Sequence, residues 1–292
     1  MTETETEHGR GRADAARHGT REPHDTSELL RAEIRGLRAR ALAHPLIALA
    51  QGILQERYTL PDPDCSFTLM RRASQQHNIK LRTVAEAVVT VPRPEARAVL
   101  WFPRRVRTPE PALTFPAAPH TGSATRGAVL TAVLSRTLAV ADSPRGHVQL
   151  ADRTRGGLRI ERHIGHGAEF VDFFAHVGDD GTACARAARD AVQVTVRDVA
   201  TDPVFTEEAR RAVLADGGRA CHSVPLTSER GLVLGMVSAY FDRPVEGLDE
   251  ARLKALEVIG AQAGRWLAWY ERTVVLDALE YLHALARRGS GR

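Results

Sequence analysis

The sequence predicts a multidomain protein: an all-α three-helix bundle preceded by a short coiled-coil-like helix, then an α+β domain on a central antiparallel sheet. Three observations predict it. Apolar residues recur at three- and four-residue steps in three short runs between positions 44 and 89. Prolines then crowd positions 92, 94, 103, 109, 111, 116 and 119, which removes donors and blocks regular structure. Beyond them, alternating strand-like segments joined by short turns are interleaved with helical patterns. A length of 292 residues with 43% hydrophobic composition supplies two cores.

Residues 1–25 are rich in Thr, Glu, Gly, Arg and His. With almost no large apolar groups they cannot offset the entropy of ordering, so a disordered tail is expected. From Asp25, which with Glu28 resembles a capping box, Leu30, Ile34, Leu37 and Ala41 follow at heptad-like spacing. Leu30, Ile34 and Leu37 are the candidate dimer seam.

The three runs that follow complete a unit over 26–90. Leu46, Leu49, Ala50, Ile53 and Leu54 share one face, and Leu60-Pro61-Asp62-Pro63 ends that helix. Asp62 is a fitting N-cap with Pro63 at the first helical position. Phe67, Met70, Ala73 and Ser74 form the second stripe; after a break at Asn78, Leu81, Val84, Ala85 and Val88 form the third. Helices this short must bury their stripes against one another. The second and third carry Arg71, Arg72, Lys80 and Arg82 with Gln75, Gln76 and Asn78 among them, and no acid appears until Glu86. Cations with amides suit phosphates and base edges, although a charged face is more often simply a solvated one. A DNA-binding helix-turn-helix is a neighbouring reading, but its tight turn is not evident.

These residues resemble the ANTAR family of RNA-binding antitermination modules. Ile47 with Ala50-Gln51-Gly52-Ile53-Leu54, Ser66-Phe67 with Met70-Arg71-Arg72-Ala73-Ser74, and Asn78, Lys80, Leu81, Val84 and Ala85 follow its three helix patterns. Gln51 stands where the family has lysine and His44 where it has arginine. The resemblance implies RNA stem-loops of leader transcripts as partners, a homodimer formed by the preceding helix, and RNA contacts from Gln51, Arg71, Arg72, Gln75, Asn78, Lys80 and Arg82.

The proline-rich stretch 91–124 reads as a linker. Its Leu100-Trp101-Phe102 is suited to docking on a neighbour, and its Arg104, Arg105 and Arg107 to lengthening a basic surface. A domain over 125–288 follows. It begins with a helix on Val129, Val133, Leu134 and Leu138, and continues with strands at 147–151 and 157–164, a helix at 170–174, an alanine-rich helix through Cys184, and a strand at 192–196. A helix at 206–215, a hairpin of 220–227 with 231–241, and a long closing helix complete it. Gly181-Thr182-Ala183-Cys184-Ala185, Asp198-Val199-Ala200-Thr201-Asp202-Pro203, and Ser223-Val224-Pro225-Leu226 with Leu234-Gly235-Met236-Val237-Ser238 resemble the GAF family of sensory domains. That fold hosts many functions, so it implies an unknown small ligand or partner protein and names neither. In such regulators the RNA module is often C-terminal; the reversed order, with prolines between, makes a rigid connecting helix an unexpected signal path.

Other chemistry is thin. His163, His166 and His176 lack metal-ligand spacing, Cys221-His222 alternate along a strand so that their side chains face opposite ways, and Cys184 fits a buried apolar role. No phosphate loop, nucleophile elbow, metalloprotease or kinase pattern is present, so neither an enzyme nor a cofactor or metal is expected. Cys65, Cys184 and Cys221 are odd in number and widely spaced, which fits a reducing cytoplasm, and no apolar run spans a membrane. The net charge of +4 permits nucleic acid without demonstrating it. The chain therefore reads as a cytoplasmic signal-responsive regulator that binds RNA hairpins to control antitermination. The alternatives are a small-molecule or redox sensor acting through protein partners, or a DNA-binding regulator.

Overall fold

The computed structural model of the protein describes residues 44–95, 98–115 and 124–289, all within one compact unit, Arg40–Arg292. The Leu30, Ile34 and Leu37 seam lies outside the described residues.

Helix α1 runs through residues 44–58 and buries Leu46, Ala50, Leu54 and Tyr58. Helix α2 spans Pro63–Gln76. Its start is the expected one: Asp62 accepts the Cys65 N–H at 2.7 Å and Pro63 occupies the first turn, where a missing N–H costs nothing. The chain leaves α2 through Asn78 at φ 49°, a left-handed conformation that asparagine tolerates. The Ser74 hydroxyl donates to the Ile79 carbonyl at 2.6 Å and ties off the turn. Helix α3, Leu81–Thr90, then buries Val84, Ala85 and Val88. In α2 the buried positions are Ser66, Met70 and Ala73, whereas Phe67 is only half-buried.

The second part begins with helix α4, Arg126–Ala141. Strands β1 (Arg145–Ala151) and β2 (Leu158–Ile164) follow, then α5 (Ala168–Phe173), a two-residue β3 (His176–Val177) and α6 (Ala183–Asp190). Next come β4 (Val194–Val196), α7 (Glu207–Ala215), β5 (Ala220–Thr227) and β6 (Val233–Phe241). The strands form one antiparallel six-stranded sheet in the order β3-β2-β1-β6-β5-β4. The long closing helix is α8 (Glu250–Tyr270), a π-helical turn (Glu271–Val275) and α9 (Leu276–Gly289).

Each sheet face has its own core, as period-two alternation requires. Val148, Leu150, Val224, Leu226, Val237 and Ala239 pack against α4 and α8. Met236, Tyr240 and Cys221 pack against Phe170, Phe174, Cys184 and Val213 of α5, α6 and α7. The first core does not stop at the sheet. It continues without a break through Leu279 and Leu282 of α9 into Leu54, Met70 and Val84, so α9 packs on α2 and α3 as a further helix of the bundle.

The proline-rich segment lies along this helix as a strap. Trp101 is 4% exposed, its backbone N–H donates to Glu280, and its indole donates to the Pro92 carbonyl. Further along, the Trp266 indole donates to Glu110 and the Trp269 indole to the Thr108 carbonyl. Side chains of α8 and α9 thus supply partners to a segment with few backbone hydrogen bonds of its own.

Candidate nucleic-acid interface

The cation- and amide-bearing residues divide into two groups. Arg71, Arg72, Gln75 and Gln76 are exposed on α2, and Asn78 is exposed at the turn. Gln51, across from them on α1, is half-buried and donates to the Pro63 carbonyl at 3.0 Å, which pins the start of α2. The second group faces the sheet instead. Lys80 Nζ lies 2.6 Å from Glu161 Oε2 on β2, and the Arg82 guanidinium lies 2.7 Å from Asp152 Oδ2 at the end of β1.

These are built pairs. The Glu161 and Asp152 side chains are 2% and 0% exposed, and Arg82 is 15% exposed. Burial alone would raise the Glu161 carboxyl, but Arg159, Arg126 and Lys80 outweigh it and bring it down to about 2. For Asp152, burial is likewise outweighed, by the Thr154 hydroxyl and Arg82, so its carboxyl sits below the usual range. Both acids stay ionised at neutral pH, which makes them strong partners for cations. Arg82 is therefore turned away from any RNA approaching α2, whereas Lys80 remains half-open to solvent.

Neither acid stood out in the sequence. Arg159 and Glu161 share a strand face through their two-residue spacing, yet nothing local says that α3 will cover that face. Of the strap arginines, Arg105 is largely buried against Asp277 of α9, Arg107 also pairs with Asp277 but stays largely exposed, and Arg104 is exposed.

The opposite sheet face holds a buried polar row. His147, Ser238 and Ser223 lie in register across β1, β6 and β5, and all are fully buried. Asp216 accepts from His166 at 2.7 Å, and His166 contacts His147 at 3.4 Å. Phe170, stacked on His166 at 3.8 Å, with Phe174 and Tyr240, fills the remaining space. Burial drives the His147 imidazole down to about 3 and lowers that of His166 as well.

The three histidines considered for a metal do not converge. His166 is in this row, His163 is exposed, and His176 bonds the Gly156 carbonyl. Among the described residues no group of three or more His, Cys, Asp or Glu side chains is arranged to hold a metal ion. Cys221 and His222 do point to opposite faces, but both are fully buried because both faces are covered. His222 is held by Thr195 and Gln193. Burial raises the thiols of Cys184 and Cys221, the opposite of what a reactive thiolate needs.

No helix among the described residues is long and apolar enough to cross a membrane. No curated protein matches the chain. Several solved structures resemble about half of the chain. A GAF domain/HD domain protein from Geobacter sulfurreducens has 16% identity and a TM-score of 0.45, over 52% of this chain and 98% of that one. The GAF domain of an Acinetobacter phosphoenolpyruvate-protein phosphotransferase has 14% identity and a TM-score of 0.42, over 51% and 86%. The free methionine-R-sulfoxide reductase from Neisseria meningitidis has 18% identity and a TM-score of 0.36, over 53% and 99%. The ANTAR domain family matches residues 35–89 and the GAF domain family residues 123–268. The chain thus belongs to the GAF domain family and carries an ANTAR domain ahead of its GAF domain.

Proposed function

We propose that this protein is a non-enzymatic, cytoplasmic regulator that binds RNA stem-loops of leader transcripts and so controls antitermination. RNA is held by the ANTAR surface around Arg71, Arg72, Gln75, Asn78 and Lys80, and a homodimer joined through Leu30, Ile34 and Leu37 engages paired hairpins. The GAF domain sets how much of that surface is available. The observation that carries this reading is the exposed cation-and-amide face of α2 within the segment that matches the ANTAR family. Guanidinium groups contact phosphate and stack on splayed bases, while amides read base edges. Lys80 and Arg82 join that surface fully only when α3 parts from Glu161 and Asp152.

The test is binding of a synthetic tandem stem-loop RNA to the full chain over a series of salt concentrations. Replacing Arg71 and Arg72 with alanine is expected to weaken binding. Each lost phosphate contact should reduce the log-log salt slope by roughly 0.7 to 0.9. Unchanged affinity in a folded double variant would mean that this surface serves another partner.

A further inference from the structure

A cavity of about 190 Å³ lies where α3 of the ANTAR domain meets the GAF domain. It is on the opposite side of the sheet from the buried histidine row. Its apolar wall is Leu150, Leu234 and Leu267, and its rim includes the π-helical turn that carries Glu271. A π turn interrupting a long α-helix is a frequent mark of a functional site.

Two lining side chains of opposite charge have few direct partners in the protein. The Arg126 side chain is only 15% exposed, and among the described residues it makes no hydrogen bond. Its nearest acid oxygen, on Glu161, is 4.0 Å away, and its guanidinium carbon stands 5.8 Å from the Tyr270 ring centroid. Glu86 of α3 makes no ion pair among the described residues, and burial raises its carboxyl against the opposing pull of Arg159 and Arg82. Arg126 and Glu86 both line the cavity but do not pair with each other. Neither side chain has a fully buried polar atom left unpartnered, so water reaching the cavity serves them, and a ligand of opposite charge replaces that water with charge-assisted hydrogen bonds.

We infer that this cavity binds a small amphipathic zwitterion, in the simplest case an apolar α-amino acid, with its carboxylate on Arg126, its ammonium on Glu86 and its side chain against Leu150, Leu234 and Leu267. The arginine fork suits a carboxylate bidentately. The volume lies below the roughly 300 to 1,000 Å³ typical of drug-sized ligands, which fits a compound of this size. Lys80 and Glu161 of the same interface are already paired with each other. The wall is shared between the two domains, so a ligand that fits it favours the docked arrangement. On the RNA-binding reading above, the zwitterion holds Arg82 and Lys80 on their acids and lowers RNA affinity.

The test uses the full chain, calorimetry and thermal melts. The probes are free L-leucine and L-phenylalanine, with isoamylamine and isocaproate as leucine analogues that each lack one charge. One of the amino acids is expected to bind with a single site per chain and raise Tm, and the analogues to bind at least about tenfold more weakly, near 1.4 kcal/mol. Glu86→Gln and Arg126→Gln should each lose binding by a similar factor, with folding checked by circular dichroism. The analogue comparison needs no variant, so a misfolded mutant does not decide the matter. Failure of both amino acids to bind, or equal binding by the analogues, overturns the site. Binding that leaves the affinity for the stem-loop RNA unchanged overturns the regulatory half. Absence of RNA binding under every condition counts instead against the RNA reading, and calorimetry still decides the ligand.

Discussion

At the scale of single residues, the buried imidazoles set an acid limit on stability. His147 is held down to about 3 and His222 to about 4, both by burial. In the unfolded chain they titrate near the ordinary 6.5, so below that pH the unfolded state takes up protons that the native state refuses. Stability is complete above about pH 6.5 and falls as pH drops toward 4, at up to about 1.4 kcal/mol per pH unit for each histidine. Melting curves between pH 7 and 4 should show the decline, and His222→Gln, which keeps a partner for Thr195, should make it shallower. Core size gives a second prediction. Val84 is fully buried, and Val84→Ala removes two methyl-sized groups at about 0.8 kcal/mol each, before any cavity cost. Leu81 is only half-buried, so Leu81→Ala should cost less than a full core leucine. Denaturant titration of both variants checks the ranking.

At the scale of elements, the approach of α8 to β5 depends on glycine. A Cβ on Gly264 would stand 2.2 Å from the Thr227 carbonyl oxygen, and one on Gly260 would stand 2.5 Å from that of Pro225. Gly52, on α1, has nothing within 4 Å. Glycine in a helix interior costs about 1 kcal/mol relative to alanine, so Gly52→Ala should stabilise by up to about that amount. Gly264→Ala receives the same intrinsic gain but forces two backbones apart, and overpacking of this kind costs about 1 to 3 kcal/mol or more. The expected outcome is opposite signs for one chemical change, read as a Tm that rises for Gly52→Ala and falls for Gly264→Ala.

At the scale of the whole molecule, the ANTAR and GAF domains share one apolar core through α9, and ion pairs beside it hold Lys80 and Arg82 of the proposed RNA-binding surface against acids of the sheet. Glu161→Gln removes the charge that Lys80 faces while keeping the side-chain shape. It also leaves Arg159 and Arg126 short of an acid, so a lower Tm is expected. RNA affinity at low salt should nevertheless rise severalfold, with a steeper salt dependence as Lys80 becomes free to meet phosphate. A Glu161→Gln protein that binds stem-loop RNA no better than wild type would show that docking does not limit the surface.

Local physics was enough for much of this. Asp62-Pro63 caps and starts α2 through bonds within three residues. The strand–turn–strand pattern of a hairpin marked β5 and β6, and the ANTAR and GAF resemblances rested on short contiguous motifs that the family matches support. Other features were illegible because they join residues far apart in the chain. That α9 would close the helical bundle, and that prolines would strap along it, follows from contacts such as Tyr58 with His283 and Trp101 with Glu280. The same holds for the partition of the basic residues. Arg71 and Arg82 look alike in sequence, and only the fold leaves one on an exposed helix face and sets the other against a buried aspartate. A cation's availability depends on which acids tertiary packing brings within hydrogen-bond reach, and no local window of sequence contains that information.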